Sequence, residues 1–318
     1  MNLLWASVSA AGRSGHEAAN ETGIPCARSS WTASTSIGDV NAQAMLYKTT
    51  SFPSYTICLR RGQYVDDHIR TRGQWPECNL LRSLIPPPPG TFIDTGANIG
   101  ACTLLMAALG YRVIAFEPTP PTFAALAAGL ASNALRHPPL DVRLVNAGLS
   151  NHSAKAAIYS MPNNAGNSIT TGSGKKPHVK HHVFSAQYRR HDIYVTTLDQ
   201  SVYEPVGLWK IDTQGHELRV LKGAQHFLGN RMPVIKLEFY PPGMRAIGDE
   251  PVDLLWFLDA AGYDLEDVGA DVGPGMREHA AVPVKPTTFK AFALQVERKQ
   301  YTDLVARPRG RQAAQRRL

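Results

Sequence analysis

The sequence predicts an α/β fold, in which helices cover both faces of a mostly parallel, doubly wound sheet. Short hydrophobic runs of strand length alternate with helix-length segments, and this alternation occurs twice. A polar stretch at 149–190, rich in Asn, Ser, Gly, Lys and His, separates the two series and predicts an insertion over one end of the sheet. The 318 residues, 43% of them hydrophobic, are enough to bury one large core.

The first series begins after four prolines, Pro86 to Pro89, which cannot continue a helix. It then predicts strands and helices in strict alternation, at 91–94, 101–109, 112–116, 119–135 and 142–147. Strand, helix and strand at this spacing are typical of parallel βαβ units.

The second series resumes the same alternation after the polar stretch. Its predicted strands are 207–212, 233–240, 263–268 and Thr288–Val296, and its predicted helices are 217–228 and 251–261. The strand at Thr288–Val296 alternates hydrophobic and polar residues, as expected of a partly exposed strand.

These patterns divide the chain into four parts. We expect a loose N-terminal segment at 1–38, an N-terminal extension with a Pro-rich boundary at 39–89, a main domain at 90–297 and a basic tail at 298–318. The net charge is +7, and the tail alone carries seven bases and one acid. A basic tail can bind nucleic acid, although a solvated terminus is the simpler interpretation.

Several classes of protein are disfavoured by composition. Four cysteines, Cys26, Cys58, Cys78 and Cys102, form no CxxC pair, so neither a zinc knuckle nor a disulfide-dense fold is indicated, and Cys102 is expected to be a small buried apolar residue. No apolar run reaches the roughly 18 residues of a membrane-spanning helix. We therefore expect a soluble chain, cytoplasmic by default; the sequence leaves the oligomeric state open.

A histidine group raises the question of a metal. His178, His181, His182 and His191 lie in or near the loop-like KKPHVKHH segment, whose lysines oppose binding of a cation. No functional metal site is expected.

A glycine-bearing turn follows the first strand and predicts a cofactor site. Asp94, Gly96, Asn98 and Gly100 lie at the carboxyl end of that strand, where ligands of parallel sheets bind. A dinucleotide fold uses G-x-G-x-x-G here, whereas this turn has Asn98 in place of the second glycine. Glu117 ends the next strand, where an acid commonly accepts ribose hydroxyls. An acidic turn disfavours a phosphate ligand and favours S-adenosyl-L-methionine, which carries an ammonium and a sulfonium.

The chain resembles the FkbM family of class I, S-adenosyl-L-methionine-dependent methyltransferases. Six segments occur in the family's order: FIDTGANIG (92–100), VIAFEPTPPTFAAL (113–126), VRLVNAGLS (142–150), VTTLD (195–199), KIDTQGHELRVLKGA (210–224) and IKLEF (235–239). The resemblance implies a Rossmann-like, seven-stranded sheet with an antiparallel last strand, which Thr288–Val296 suits. It also implies transfer of a methyl group to a hydroxyl oxygen, often on a sugar or natural product, without a metal. Asn146 and Ala147, after the third strand, are predicted as further cofactor-binding residues.

Three residues are candidates for the general base that a hydroxyl acceptor needs. Asp212 ends a strand beside the cofactor turn and has the best position, Glu238 has the next best, and His216 titrates in a useful range. A simpler interpretation of His216 is a first-turn helix residue that contacts solvent. For Glu217, a structural role at the helix start and a functional role remain equally open. By resemblance, Ser168 is a weaker candidate for the site.

The leading functional hypothesis is O-methylation of a small molecule or glycan. An RNA methyltransferase that uses the basic tail, and a non-catalytic S-adenosyl-L-methionine-binding protein, are the alternatives. A nicotinamide-dependent oxidoreductase is the least favoured hypothesis, because the turn lacks the glycine that a dinucleotide-binding motif requires.

Overall fold

The structure, a computed structural model, describes residues 26, 44–161, 164–171, 188–269 and 281–310. Its strands are β1 (Met45–Lys48), β2 (Thr56–Leu59), β3 (Thr91–Thr95), β4 (Arg112–Phe116), β5 (Val142–Val145), β6 (Gly148–Leu149), β7 (Ala154–Met161), β8 (Asn164–Thr171), β9 (Arg189–Thr196), β10 (Leu208–Ile211), β11 (Val234–Phe239), β12 (Tyr263–Gly269), β13 (Val282–Val284) and β14 (Thr302–Pro308). Its helices are α1 (Tyr64–Arg72), α2 (Glu77–Leu84), α3 (Ala101–Ala108), α4 (Pro120–Ala131), α5 (Glu217–Lys222), α6 (Gln225–Arg231), α7 (Pro241–Ala246), α8 (Pro251–Ala260) and α9 (Phe289–Lys299), with a short 3₁₀ turn at Pro286–Thr288.

A mixed sheet of eight strands forms the centre of the molecule, in the order β13-β12-β14-β11-β10-β3-β4-β5. The neighbours from β11 to β5 are all parallel, whereas β14 runs antiparallel to both β11 and β12. The predicted α/β class, the mostly parallel sheet and the antiparallel last strand are confirmed. In the described part of the chain the sheet has one strand more than the seven expected, because β13 pairs with the edge of β12.

The assignment of the last strand to Thr288–Val296 is wrong. Those residues lie in the 3₁₀ turn and in α9, whose buried Phe289, Ala293 and Val296 follow the spacing of one helix face. The antiparallel strand is β14, whose Leu304, Val305 and Ala306 are fully buried between β11 and β12. The segment interpreted as a basic tail from residue 298 therefore contains an inner strand of the sheet. The rest of the proposed domain division stays a prediction.

The polar stretch at 149–190 contributes strands to a second sheet of four, in the order β6-β9-β7-β8. In it β7 pairs antiparallel with both β8 and β9. The N-terminal extension contributes the antiparallel pair of β1 and β2 and the helices α1 and α2. Two hydrophobic clusters cover the central sheet, and the N-terminal extension packs into the one that contains α3 and α4.

The expectation that Cys102 is simply a small buried apolar residue is wrong, because all four cysteines form disulfides. Cys26 is bonded to Cys58, and Cys78 is bonded to Cys102. The second bond joins α2 of the N-terminal extension to the first turn of α3, directly after the glycine-bearing turn. Neither pair shows a sequence motif, because each joins residues that only the fold brings together.

Among the residues given above, we find no helix with both the length and the hydrophobicity needed to cross a membrane.

Candidate active site

Two adjoining pockets open at the carboxyl ends of the parallel strands. The larger one, here the main cavity, has a volume of about 320 Å³ and is lined by residues of the turn after β3 and of the ends of β10 and β11. A second pocket borders the ends of β4 and β9. Gly96, Asn98, Asp212 and Gln214 line both, so the glycine-bearing turn and the end of β10 lie where the two pockets meet.

The turn after β3 is held by backbone contacts to its neighbours. Gly96 has a φ of 78° and Asn98 a φ of 52°, both left-handed. A Cβ at Gly96 would lie 1.9 Å from the carbonyl oxygen of Asp212, so the turn packs directly against the end of β10. A Cβ at Gly100 would lie 2.2 Å from Leu126 of α4. Gly96 is therefore required for packing within the protein, whatever the turn binds. Gly100 approaches the end of a side chain, which can shift, so its left-handed φ of 88° is the stronger reason for a glycine there.

Glu117 joins the first two strand ends. Its Oε2 accepts a hydrogen bond from the backbone N–H of Asn98 at 2.9 Å, and its Oε1 accepts one from that of Thr119 at 2.8 Å. Burial raises the pKa of Glu117 above its ordinary value. A carboxylate has about four acceptor positions, so Glu117 retains the capacity to accept ribose hydroxyls in the second pocket that it lines.

Asn146 and Ala147 lie apart from the two pockets. The exposed Asn146 donates from Nδ2 to the backbone oxygen of Glu117 at 2.9 Å, whereas the Ala147 side chain is buried in the core. Their part in cofactor binding stays a prediction, and the structure gives Asn146 a role in supporting the strand end that carries Glu117.

Asp94 is completely buried at the end of β3. Its Oδ2 accepts a hydrogen bond from Thr103 Oγ1 at 2.7 Å, while its Oδ1 lies 3.6 Å from Lys210 Nζ and accepts no hydrogen bond. Burial raises the pKa of Asp94. This oxygen is a buried acceptor at the wall of the main cavity, and a ligand with a donor group would satisfy it.

Two buried lysines are each paired with two carboxylates. Lys210 Nζ lies 3.3 Å from Asp212 Oδ2 in addition to its contact with Asp94. Burial alone would lower the pKa of Lys210, but the carboxylates around it raise it above its ordinary value. Lys236 of β11 pairs with Glu77 of α2 and, at 2.9 Å, with Asp303 of β14. Both lysines are therefore charged and already compensated.

The main cavity has an acidic lining. Among the described residues that line it, Lys210 is the one cation, and five are carboxylates: Glu77, Asp94, Asp212, Glu238 and Asp303.

Asp212 and Glu238 come together through Gln214. The Nε2 of Gln214 donates to Asp212 Oδ1 at 2.9 Å and to Glu238 Oε2 at 2.8 Å. Burial, followed by the negative charge of Asp212, raises the pKa of Glu238 well above its ordinary value. Two of the three predicted base candidates thus line the main cavity beside the glycine-bearing turn.

The expectation that His216 contacts solvent is wrong. His216 is buried, and its Nε2 lies 3.2 Å from Ser150 Oγ on the side of the second pocket. Burial lowers its pKa to about 3, so the ring is neutral at ordinary pH. The structure does not bring His216 to the main cavity, where Asp212 and Glu238 lie.

Glu217 has a structural role at the start of α5. Its Oε1 accepts hydrogen bonds from Thr213 N–H (2.9 Å), Thr213 Oγ1 (3.1 Å) and Gly215 N–H (3.0 Å). It thereby fixes the loop that carries Gln214. Ser168 lines the second pocket, and its part in the site stays a prediction.

Sequence reasoning missed several residues that line the main cavity. Tyr64, Trp75 and Glu77 come from the N-terminal extension, Tyr301 directly precedes β14, and Asp303 lies in β14. Trp75 Nε1 donates to Glu77 Oε2 at 3.0 Å. No local motif marks these residues, since they lie far in sequence from the cofactor turn.

The structure describes one member of the histidine group, His191, and shows no metal-site geometry around it. His178, His181 and His182 lie outside the described residues, and His191 Nε2 lies 3.0 Å from Ser160 Oγ. Within the ranges that the structure covers, no three His, Cys, Asp or Glu side chains are grouped to hold a metal ion.

Several solved structures are similar to this chain at low sequence identity. A search of curated protein sequences returns no match. The chain is similar to methyltransferase FkbM from Methylobacillus flagellatus KT, with 16% identity, a TM-score of 0.41, and coverage of 69% of this chain and 43% of that one. This chain thus spans less than half the length of that protein.

Two further solved structures are similar at lower identity. Magnesium protoporphyrin IX methyltransferase from Synechocystis PCC 6803, with bound SAM, has 10% identity, a TM-score of 0.38, and coverage of 77% and 84% of the two chains. A TehB-like SAM-dependent methyltransferase from Corynebacterium glutamicum has 11% identity, a TM-score of 0.39, and coverage of 76% and 94%.

A family model, the methyltransferase FkbM domain, matches residues 94–265, which is more than half of the chain. The matched range begins at the buried Asp94 and includes the ends of β4, β10 and β11. The protein belongs to the FkbM methyltransferase family.

Proposed function

We propose that the protein transfers a methyl group from S-adenosyl-L-methionine to a hydroxyl oxygen of a small molecule or glycan. The main support for this proposal is the position of Asp212 and Glu238. Asp212 directly follows β10, and Glu238 lies in the neighbouring strand β11. Both residues line the main cavity beside the turn that is expected to hold the cofactor.

The residues present fit S-adenosyl-L-methionine. Asp94 offers a buried oxygen without a hydrogen-bond donor, which suits an ammonium group. The first turn of α3 borders the main cavity and has no side-chain cap, so its backbone N–H groups suit a carboxylate. Glu117, in the adjoining pocket, suits the ribose hydroxyls. The acidic lining disfavours a phosphate-bearing dinucleotide.

The chain's own residues supply the base and the alignment. When bound, S-adenosyl-L-methionine supplies the methyl group that the acceptor oxygen takes up. Asp212, about one quarter exposed, accepts the hydroxyl proton and can release it to solvent. The rigid turn after β3 and the end of β10 hold the two binding regions in fixed relation, because Gly96 packs against the Asp212 carbonyl.

The size and lining of the main cavity support a small acceptor. Its volume of about 320 Å³ lies within the range of small-molecule sites, roughly 300–1,000 Å³. Its lining combines the aromatic residues Tyr64, Trp75, Tyr240 and Tyr301 with carboxylates that can accept hydrogen bonds, which suits a hydroxylated compound.

The structure weakens the hypothesis that the basic tail binds an RNA acceptor. Arg307 pairs with Glu266, and Arg309 pairs with Asp259 and Asp264, so both arginines are compensated within the sheet region. No observation on the described residues favours RNA over a small molecule.

The experiment has two arms. Calorimetry measures binding of S-adenosyl-L-methionine to the wild-type protein and to Glu117→Ala. Glu250→Ala, at the exposed acid that immediately precedes α8, is the matched control. We expect the affinity of Glu117→Ala to fall by about 1.5–3 kcal/mol, the range for hydrogen bonds to a charged group, and that of the control to stay unchanged.

The second arm incubates the protein with methyl-labelled cofactor and a panel of sugars, polyols and RNA. Label on the oxygen of a sugar or polyol supports the proposal. Label on RNA alone would replace it with the RNA alternative. Tight cofactor binding without transfer to any acceptor would favour a non-catalytic binding protein.

The two disulfides also bear on the compartment. Structural disulfides persist mainly in oxidising compartments. We therefore propose that the protein works in such a compartment, in place of the cytoplasm expected by default.

A further inference from the structure

We propose that Gln214 is a positioning residue, which holds Asp212 and Glu238 together as one proton-accepting pair in the main cavity. The inference rests on the proposed function, since it concerns how the base of that site is prepared.

The side-chain amide nitrogen of Gln214 lies between the two carboxyl groups. Its two hydrogens are directed to Asp212 Oδ1 at 2.9 Å and to Glu238 Oε2 at 2.8 Å. The amide nitrogen of Gln214, rather than its amide oxygen, is assigned to this position. Only the nitrogen can donate hydrogen bonds, and both neighbouring groups are acceptors. Gln214 is therefore satisfied only when both carboxyl groups are in place.

The backbone gives Gln214 little freedom to move away. Gln214 has a φ of 56° and Gly215 a φ of 100°, so the loop makes a tight left-handed turn. A Cβ at Gly215 would lie 2.3 Å from the carbonyl carbon of Gly243, which shows how closely the loop packs on α7. Glu217 holds the same loop through three hydrogen bonds from Thr213 and Gly215.

The charges around the pair favour a state with one proton. The charges that act on Asp212 are those of Lys210, Lys236, Asp94, Glu217 and Glu238. Glu238 is influenced by Asp212, Glu217, Asp303 and Lys236, and it in turn influences Tyr240. Both lysines are shared with other carboxylates, so they do not neutralise the pair. Two close carboxylates resist double ionisation. Burial and Asp212 raise the pKa of Glu238, which identifies Glu238 as the group that keeps the proton.

This arrangement determines which oxygen accepts the proton of the substrate. With Glu238 neutral, the negative charge resides on Asp212, whose Oδ2 lies near Lys210 and whose side chain is partly exposed. S-adenosyl-L-methionine, when bound, would supply the methyl group, and its sulfur would keep the electron pair of the broken S–CH₃ bond as a neutral thioether. The acceptor oxygen that takes up the methyl group loses its O–H proton to Asp212. Gln214 does not take part in that transfer; it orients the accepting carboxylate and stabilises its charge through a donated hydrogen bond.

Gln214→Met tests the proposal, because methionine is similar in length and donates no hydrogen bond. We expect single-turnover methyl transfer at pH 7 to fall by about 10- to 100-fold, as for loss of hydrogen bonds to a charged group, and the acidic limb of the pH–rate profile to move to higher pH. Cofactor affinity should change by less than about threefold. Gln225→Met, at an exposed position that begins α6, is the matched control.

A second readout does not depend on methyl transfer. Carbon-13 NMR of labelled carboxyl groups follows the titration of the pair in the protein alone. We expect the Gln214→Met pair to titrate at higher pH than the wild-type pair. In Asp212→Asn the remaining carboxyl, Glu238, should titrate at lower pH than in the wild type, since the like charge is removed. The Asp212→Asn result tests independently whether the two carboxyl groups titrate as a pair, and an unshifted Glu238 in that variant would overturn the proposal.

The outcomes separate the two proposals. A wild-type titration that neither Gln214→Met nor Asp212→Asn shifts would overturn the pair. A coupled titration in a protein that does not bind S-adenosyl-L-methionine would overturn the proposed function and leave the pair intact. An unchanged pH–rate profile in a folded Gln214→Met protein would show that Gln214 is structural only.

Discussion

Asp212 is the residue on which the proposed chemistry most directly depends. Asp212→Asn retains the size of the side chain and removes its charge. We expect turnover to fall by about 10²–10⁴-fold, the usual contribution of a general base, with cofactor affinity similar to wild type. Single-turnover transfer at saturating cofactor measures the effect, and Asp253→Asn, an exposed change on α8, is the control. Near-normal turnover here, with a collapse in Glu238→Gln, would move the base to Glu238.

Glu217 gives the protein a pH-dependent stability. Burial raises its pKa from 4.5 to about 7, so the folded state favours the protonated form. Its favourable contribution is complete below about pH 4.5 and is lost as the pH rises through 7. In Glu217→Gln this dependence should be absent.

The expected change in the free energy of unfolding follows from the shift in the pKa of Glu217. Relative to Glu217→Gln, the wild-type free energy of unfolding should fall by about 3 kcal/mol between pH 4.5 and 8, at 1.36 kcal/mol per pKa unit. Urea unfolding at several pH values measures the difference, and Glu250→Gln serves as the exposed control. A constant difference across this range would contradict the raised pKa.

At the scale of elements, the Cys78–Cys102 bond connects α2 to α3 across 24 residues of sequence. In the chain-entropy model, a bond closing a loop of this length stabilises the folded state by about 3.5 kcal/mol. We expect the Cys78→Ser/Cys102→Ser double variant to lose about that much free energy of unfolding. Denaturation in urea without reductant measures the loss.

The same elements supply Glu77 and the disulfide to the wall of the main cavity, so the double variant should also bind an acceptor less well. Thiol titration of denatured, unreduced wild-type protein should find no free thiol. Four free thiols, with the stability of the double variant unchanged, would show that the bonds do not form.

The elements α9 and β14 show how a pattern can fit two structures. Phe292, Leu294 and Val296 alternate as in a strand, while Phe289, Ala293 and Val296 follow a helical spacing. The helix forms because β14, further along the chain, occupies the inner place in the sheet. Periodicity could not decide between the two, since both periods are present in the same residues.

For the whole molecule, the position of β14 predicts where the chain can be shortened. A chain ending at Lys299 lacks an inner strand whose Leu304, Val305 and Ala306 are fully buried, and it leaves the buried Lys236 without Asp303. We expect that chain to lose cooperative unfolding. A chain ending at Gly310 retains every described element and should unfold near the wild-type temperature. Circular dichroism during heating distinguishes them, and a stable chain ending at Lys299 would contradict the sheet order.

Much of the fold and part of the site could be predicted from local sequence. Hydrophobic runs that end in polar residues marked β3, β4, β10 and β11, and parallel strands bring their carboxyl ends to one edge. This is why Asp94, Glu117, Asp212 and Glu238 could be placed near one another before the structure was known. The strand–turn–helix pattern likewise indicated the glycine-bearing turn.

The sequence by itself determined the order of α/β elements and the polar residues at the strand ends, because both depend on short-range periodicity. Only the tertiary structure decided which distant residues meet. Glu77 pairs with Lys236 across 159 residues of sequence, the cysteines pair between separate elements, and His216 is buried against Ser150. Such contacts leave no periodic pattern in the chain, since their partners are selected by the packing of whole elements against one another.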